Sequence, residues 1–239
     1  MLGPGLLIIT ARLGYNGSLQ ELSYIGGDLS MSNSRIWFLL FTVVFLTSPC
    51  LAQIGIPDLS YSLAFIAYEG PGTPSLLVVP DGNGSLFTEA HDEEGNVVDA
   101  TITLIIRDSG GVPISNYPAE DCWLVSEDGG MVSCVGGVIA SFSTDFSGMT
   151  QWVNPLFAGG YSLAPVRILI PGEPLPITLD LNFNSPDMNG DLVVNLADVA
   201  LFASCYFTGY CYPADYDNNG VLNLADLSFF AEHIGAACP

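Results

Sequence analysis

From Tyr61 to about Asn182 short apolar runs alternate with turn residues. The runs include LLVV at 76–79, ATITLIIR at 100–107, CWLV at 122–125 and VRILI at 166–170. Between the runs stand Pro80-Asp81-Gly82-Asn83-Gly84, Glu94-Gly95-Asn96, Asp108-Ser109-Gly110-Gly111 and Glu127-Asp128-Gly129-Gly130. Gly and Asn accept the positive φ that tight turns require, so their recurrence every roughly 10 to 20 residues predicts antiparallel strands. An all-β sandwich is the architecture such a series favours. Within Thr101–Ile106 the alternation places Ile102, Leu104 and Ile106 on one face of a half-buried strand. Cys122 and Cys134 flank the Glu127–Gly130 turn almost symmetrically, and a hairpin there predicts a disulfide between them.

Toward the C-terminus the pattern becomes an internal repeat. The first copy is Asp187-Met188-Asn189-Gly190-Asp191-Leu192-Val193-Val194-Asn195-Leu196-Ala197-Asp198. The second is Asp215-Tyr216-Asp217-Asn218-Asn219-Gly220-Val221-Leu222-Asn223-Leu224-Ala225-Asp226, at a spacing of 28 (215 minus 187). Positions 1, 3, 5, 9 and 12 carry Asp or Asn in both copies, and position 7 is a valine that offers its backbone carbonyl. Those are the slots by which a twelve-residue loop wraps oxygen ligands around calcium. Two Ca2+ sites are therefore expected: Asp187, Asn189, Asp191, Val193, Asn195 and Asp198 in one, and Asp215, Asp217, Asn219, Val221, Asn223 and Asp226 in the other. Oxygen ligands without His or Cys point away from zinc and copper.

Each loop leads into an apolar helical stretch, Val199–Ala203 and Leu227–Ala231, whose first turn holds the position-12 carboxylate, favourably for the helix dipole. Pro186 and Pro213 stand just ahead of the loops, so no helix precedes either, unlike a paired EF-hand. Position 6 is Gly220 in the second loop but Leu192 in the first, where a positive φ costs a non-glycine residue about 1–2 kcal/mol unless Gly190 takes up the turn. Cys205, Cys211 and Cys238 also lie here, and a bridge from one of the first two to Cys238 would staple a small core.

Residues 36–47, IWFLLFTVVFLT, follow Arg35 and precede Ser48-Pro49-Cys50-Leu51-Ala52. So short a run suits the apolar stretch of a signal peptide better than a membrane span. Met31 is the expected start, cleavage after Ala52 leaves Gln53 first, and residues 1–30 are read as an upstream extension outside the translated protein. Pro49 disfavours lipidation of Cys50, and the mature chain carries no membrane span. Secretion puts the remaining five cysteines in a disulfide-permissive compartment, and an odd number leaves one unpaired within the chain.

The charge balance narrows the partners: four Arg, no Lys and 25 acidic residues give a formal net charge of −21. Nothing here neutralises phosphates, so nucleic acid is excluded as a partner. Catalytic chemistry is sparse. His91, the only His of the β-prone region, sits in an acidic loop, and the pairs Asp92/Glu94 and Glu120/Asp121 have nothing that places them across a cleft. No enzymatic activity is expected. Tyr61, Tyr68, Trp123, Trp152 and Phe157 suit a sandwich core, with a sugar-stacking platform as the alternative.

Two resemblances add to this. The stretch Asp99–Leu104 through Arg107-Asp108-Ser109-Gly110-Gly111-Val112-Pro113, with Ser143–Thr150 after it, resembles bacterial immunoglobulin-like repeats of the invasin type. The duplicated loop-plus-helix, with Asn-Leu-Ala-Asp closing each copy, resembles a type I dockerin. That resemblance implies a cohesin-like protein or cell-surface component as partner, with Leu196, Ala197, Leu224 and Ala225 as contact residues. It lacks the basic residues many dockerin helices carry. The expectation is a mainly β protein: an immunoglobulin-like β-sandwich over 53–182, then a small α-helical, dockerin-like calcium-binding module over 183–239, the pair serving attachment or assembly outside the cell. The alternative is a carbohydrate-binding component of a polysaccharide-degrading extracellular complex.

Overall fold

The structure, a computed structural model, describes residues 55–239 and, ahead of them, strands β1 (Arg12–Tyr15) and β2 (Ser18–Glu21), which pair antiparallel. The chain falls into two compact units, Met1–Ala52 and Gln53–Pro239. The segment 31–52 read as a signal peptide, Cys50 included, and Gln53 lie outside the described residues. Among the described residues no helix is long and apolar enough to cross a membrane.

The second unit is mainly β, in several small sheets, with two helices near the C-terminus. In one sheet β7 (Ile102–Ile105) runs between β3 (Leu63–Ile66) and β10 (Met149–Trp152), antiparallel to both. In another, β12 (Val166–Ile170) lies between β8 (Trp123–Ser126) and β13 (Glu173–Leu179), again antiparallel. A third pairs β9 (Met131–Ser133) with β11 (Ala158–Gly160). The fourth joins β4 (Ser75–Leu77), β5 (Ala90–His91), β6 (Val97–Val98) and β14 (Asn182–Asn184).

Local chemistry closes these strands. Asp108 and Asp145 each take two backbone N–H groups on one carboxylate oxygen, from Gly110 and Val112 and from Ser147 and Met149. Gly111 and Gly148 complete the two turns at φ 75°, where a side chain would be strained. One pairing departs from the antiparallel expectation. After β13 the chain passes Asp180 and Leu181 and runs beside β4 in the same direction, so β14 and β4 are parallel.

Ile102, Leu104 and Ile106 are buried as expected, but the strand is not half-buried, since Thr101 and Thr103 at the alternate positions are buried too. Val166, Ile168 and Ile170 of β12 are buried likewise. All six aliphatic residues enter one apolar cluster with Phe87, Leu124, Trp152 and Phe183. Leu76 and Val78 belong to it too, whereas Leu77 and Val79 belong to a second cluster with Met188, Val194, Phe202, Ala214, Tyr216 and Phe230. The run LLVV is continuous because both its faces are covered, one by the sheets and one by the C-terminal helices.

The helices are α1 (Leu196–Thr208) and α2 (Leu224–Glu232). They meet through Phe202 and Phe230, rings 5.0 Å apart at the same position of the two repeats, with Tyr216 stacked 6.2 Å from Phe202.

The expected Cys122–Cys134 disulfide does not form. The Glu127–Gly130 turn is present, with Gly129 N–H donating to Ser126 O at 3.1 Å, but its two arms separate: β8 pairs with β12 and β9 with β11. Cys122 is buried with a free thiol, and Cys134 bonds Cys238 with Cα atoms 5.8 Å apart. The expectation that Cys205 or Cys211 would reach Cys238 is corrected as well: those two bond each other across the end of α1. Among the proposed stacking aromatics, Trp152 is fully buried and donates its indole N–H to Val138 O at 3.0 Å, while Tyr61 is half exposed.

Candidate metal centre

Both polar loops take the same shape, and backbone amides set it. Asp187 accepts from the N–H of Asp191 at 3.1 Å on one carboxylate oxygen and from that of Leu192 at 2.8 Å on the other. Asp215 accepts from Asn219 at 3.1 Å and Gly220 at 2.8 Å in the same way. The closing residues share one bond and differ in the other: Asp198 accepts from Asn195 and Asp226 from Asn223, at the same position, but Asp198 also accepts from Asn189 at position 3 and Asp226 from Tyr216 at position 2, all at 2.9–3.2 Å. The N–H groups thus point inward at each carboxylate and fix the curl of the loop.

Carboxylate oxygens of Asp187, Asp191 and Asp198 come within 4.8 Å of one another, as do those of Asp215, Asp217 and Asp226. The side chains at positions 1 and 12, Asp187, Asp198, Asp215 and Asp226, are fully buried. None of the described Arg residues, at 12, 107 and 167, belongs to these loops. Like charges this close repel by on the order of 3 kcal/mol per pair at an effective dielectric of about 20. A carboxylate has about four lone-pair sites, and the amides here fill only part of them. An all-oxygen donor set of three converging, partly buried carboxylates fits a hard divalent cation.

Electrostatics carries the same strain. Burial, opposed by the Gly220 N–H and the Tyr210 hydroxyl, pushes Asp215 up to about 6. Asp187 is raised first by burial and further by the charges of Asp198 and Asp191; Asp226 is raised by burial and by Asp217. The buried Tyr216 phenol, its oxygen without a partner, is pushed well up by burial and by the charges of Asp226 and Asp198.

The other expected ligands fall into two groups. Asn189 hydrogen-bonds Asp191 through its amide, and Asn219 bonds Asp217 likewise, so both stand at the rim of their triads. Asn195 and Asn223 cap α1 and α2 instead: each Oδ1 accepts from the N–H two residues on, of Ala197 at 2.8 Å and Ala225 at 2.7 Å. Their Nδ2 groups donate to the Val193 and Val221 carbonyls at 2.9 and 3.2 Å, leaving each carbonyl a second lone pair. Gly190 does not relieve Leu192: positions 4 and 6 are both left-handed in both loops, at φ 68° and 67° in the first and at 54° (Asn218) and 77° (Gly220) in the second.

Leu196 and Leu224, the first residues of the two helices, are 82% and 69% exposed, and Ala197 and Ala225 beside them are exposed too. Sequence reasoning missed the residues that hold the loops from outside. Gly159 and Gly160 lie against Asp187, and Asn184 donates to the Asp215 carbonyl. The glycine pair inside β11 was the one available signal, since glycine in a strand marks close backbone approach. His91 is half-buried and lowered by burial, with Asp217 and Asp92 pulling the other way.

Compared with protein-family models, curated proteins and solved structures, the chain matches none.

Proposed function

We propose that residues 183–239 form a dockerin-like module with two Ca2+ sites, which attaches or assembles an extracellular, immunoglobulin-like β domain without catalytic activity of its own. The observation that carries this is the repetition, 28 residues apart, of the amide hydrogen bonds to Asp187 and Asp215, each in a carboxylate triad, at loop positions 1, 5 and 12 in the first copy and 1, 3 and 12 in the second. The cation would be held by the Asp187, Asp191 and Asp198 carboxylates with the Val193 carbonyl, and by Asp215, Asp217 and Asp226 with Val221. It would supply the positive charge that the buried aspartates lack. The side chains themselves hold the loop closed and start each helix.

Support for the sandwich comes from the two three-stranded antiparallel sheets, whose central strands β7 and β12 send their apolar residues into one shared cluster. Two disulfides and the signal-like run at 36–47 support secretion. The exposed pairs Leu196-Ala197 and Leu224-Ala225 are the proposed contacts for a cohesin-like or cell-surface partner. Carbohydrate binding finds less support, because Trp152 is committed to the core.

Calorimetric titration of the full chain with calcium tests the reading. Two bound ions with a gain of helical signal are expected, and Asp215→Ala should leave one. Absence of heat and of spectral change at millimolar calcium would overturn it.

A further inference from the structure

We propose that the two cation loops are docked on the β body as a clasp, with Gly159 and Asn184 positioning the first aspartate of each loop, so that cation loading and the ordering of β4, β11 and β14 form one cooperative event. This rests on the reading of the loops as calcium sites and adds a partner for them: the chain's own sheets.

The first loop sits on β11. Gly160 N–H donates to the Asp187 carbonyl at 2.8 Å, and a β carbon on Gly159 would stand 1.9 Å from Asp187 Oδ2 and 2.7 Å from its Cγ. Gly159 is not in the left-handed region, so space, not backbone freedom, is what demands glycine there. Any side chain at 159 displaces the carboxylate that organises the loop. Gly190 of the loop faces β11 and its neighbour β9, where an added β carbon would stand 3.6 Å from Gly160 Cα and 3.2 Å from Val132.

The second loop is held from two sides. The fully buried Asn184 donates Nδ2 to the Asp215 carbonyl at 2.5 Å, and β14 carries that asparagine alongside β4. Asn218 donates Nδ2 to the Asp92 carbonyl at 2.9 Å, and a β carbon on Gly95 would stand 2.9 Å from Asn219 Cβ. Ser75 of β4 and Tyr212 share a hydrogen bond of 2.7 Å, and Leu77 and Val79 bury their side chains among Met188, Phe202, Tyr216 and Phe230. Both first-position aspartates are thus placed by the sheets, not by their own loops alone. Because coupling between binding and ordering is reciprocal, the sheets raise the cation affinity by as much as the cation steadies the sheets.

Two measurements on the full chain decide it. Gly159→Ala keeps every proposed ligand and should weaken one of the two calcium sites about tenfold to a hundredfold, the usual effect of disturbing a ligand's outer support, while the other holds its affinity. Hydrogen exchange of the unaltered protein, which does not depend on that variant folding, should slow on adding calcium at the amides of Gly160 and Val78, which donate to Asp187 and Asn184. Two calcium ions bound with protection confined to 187–208 and 215–232, or with Gly159→Ala binding as the parent does, would overturn the clasp and leave the calcium sites standing. No calcium binding by the parent would remove the sites and the clasp together.

Discussion

Leu192 holds φ 67° at the position where the second loop has Gly220 at 77°. A left-handed backbone costs leucine about 1–2 kcal/mol, and glycine in its place gives back about 0.5–1 kcal/mol through the freedom it adds to the unfolded chain. Leu192→Gly should therefore tighten calcium at the first site by up to about fivefold, the equivalent of about 1 kcal/mol. Calorimetric titration would show this, and an unchanged first site would mean that the loop stores no strain. The aspartates themselves set a pH dependence. Asp215 is held at about 6 against an ordinary 3.8, and Asp187 and Asp226 are also raised. An acid raised in the folded chain binds protons more readily there than when unfolded, so cation-free protein should lose stability as pH climbs from about 4 to about 6. Asp58, Asp92 and Asp145 are lowered by their turn hydrogen bonds and act in the opposite sense, but below that window. Calcium needs the ionised carboxylates, so it reverses the slope. Thermal melts at pH 5 and pH 7, with chelator and with calcium, should show the chelated protein weaker at pH 7 and the calcium gain larger there; a gain equal at both would refute the assignment.

The elements most legible in the sequence were those whose causes are local. Each loop writes its acidic cluster and its helix start within twelve residues, and the structure repeats the hydrogen bonds of Asp187 at Asp215. The capping by Asn195 and Asn223 was not legible, because both residues also fit ligand positions. The turn at Asp108 was readable for the same reason as the loops, a carboxylate and a glycine three positions apart in the chain, and Asp145 and Gly148 repeat that spacing. Strand pairing was not. Nothing near Cys122 or Cys134 records that β8 takes β12 and β9 takes β11, because those partners arrive from 25 or more residues away. The caps lend themselves to a direct test. Asn223 starts α2 by accepting the Ala225 N–H at 2.7 Å, while Asp226 accepts the Asn223 N–H in return. Asn223→Ala should cost about 1 kcal/mol of stability even with calcium saturating, and Asn223→Ser, which keeps an oxygen acceptor, should recover most of it. Urea denaturation of the two variants measures both, and equal losses would show that the asparagine serves the cation and not the helix.

For the whole molecule the decisive covalent tie is Cys134–Cys238, which joins the end of β9 to the penultimate residue across 104 positions. The C-terminal segment is thereby fastened to the sheets at its far end, while β14 fastens it at its start beside β4. Sequence patterns placed the two regions in order but not against each other, since Leu77 and Val79 look the same whether a helix or solvent covers them. In the chain-entropy view a disulfide stabilises by shrinking the unfolded ensemble, so the long tie should be worth about 4–5 kcal/mol and the Cys205–Cys211 tie, which closes a loop six positions long, about 2 kcal/mol. Replacing Cys134 and Cys238 together by Ser should accordingly lower the urea midpoint more than the same change at Cys205 and Cys211. The gap should be widest with chelator present, because under the proposed clasp calcium and the long disulfide would hold the same segment to the same strands, and either one would limit what the loss of the other can release. If the two double variants lose equal stability, with and without calcium alike, the C-terminal segment folds independently of the sheets and the tie between them is incidental.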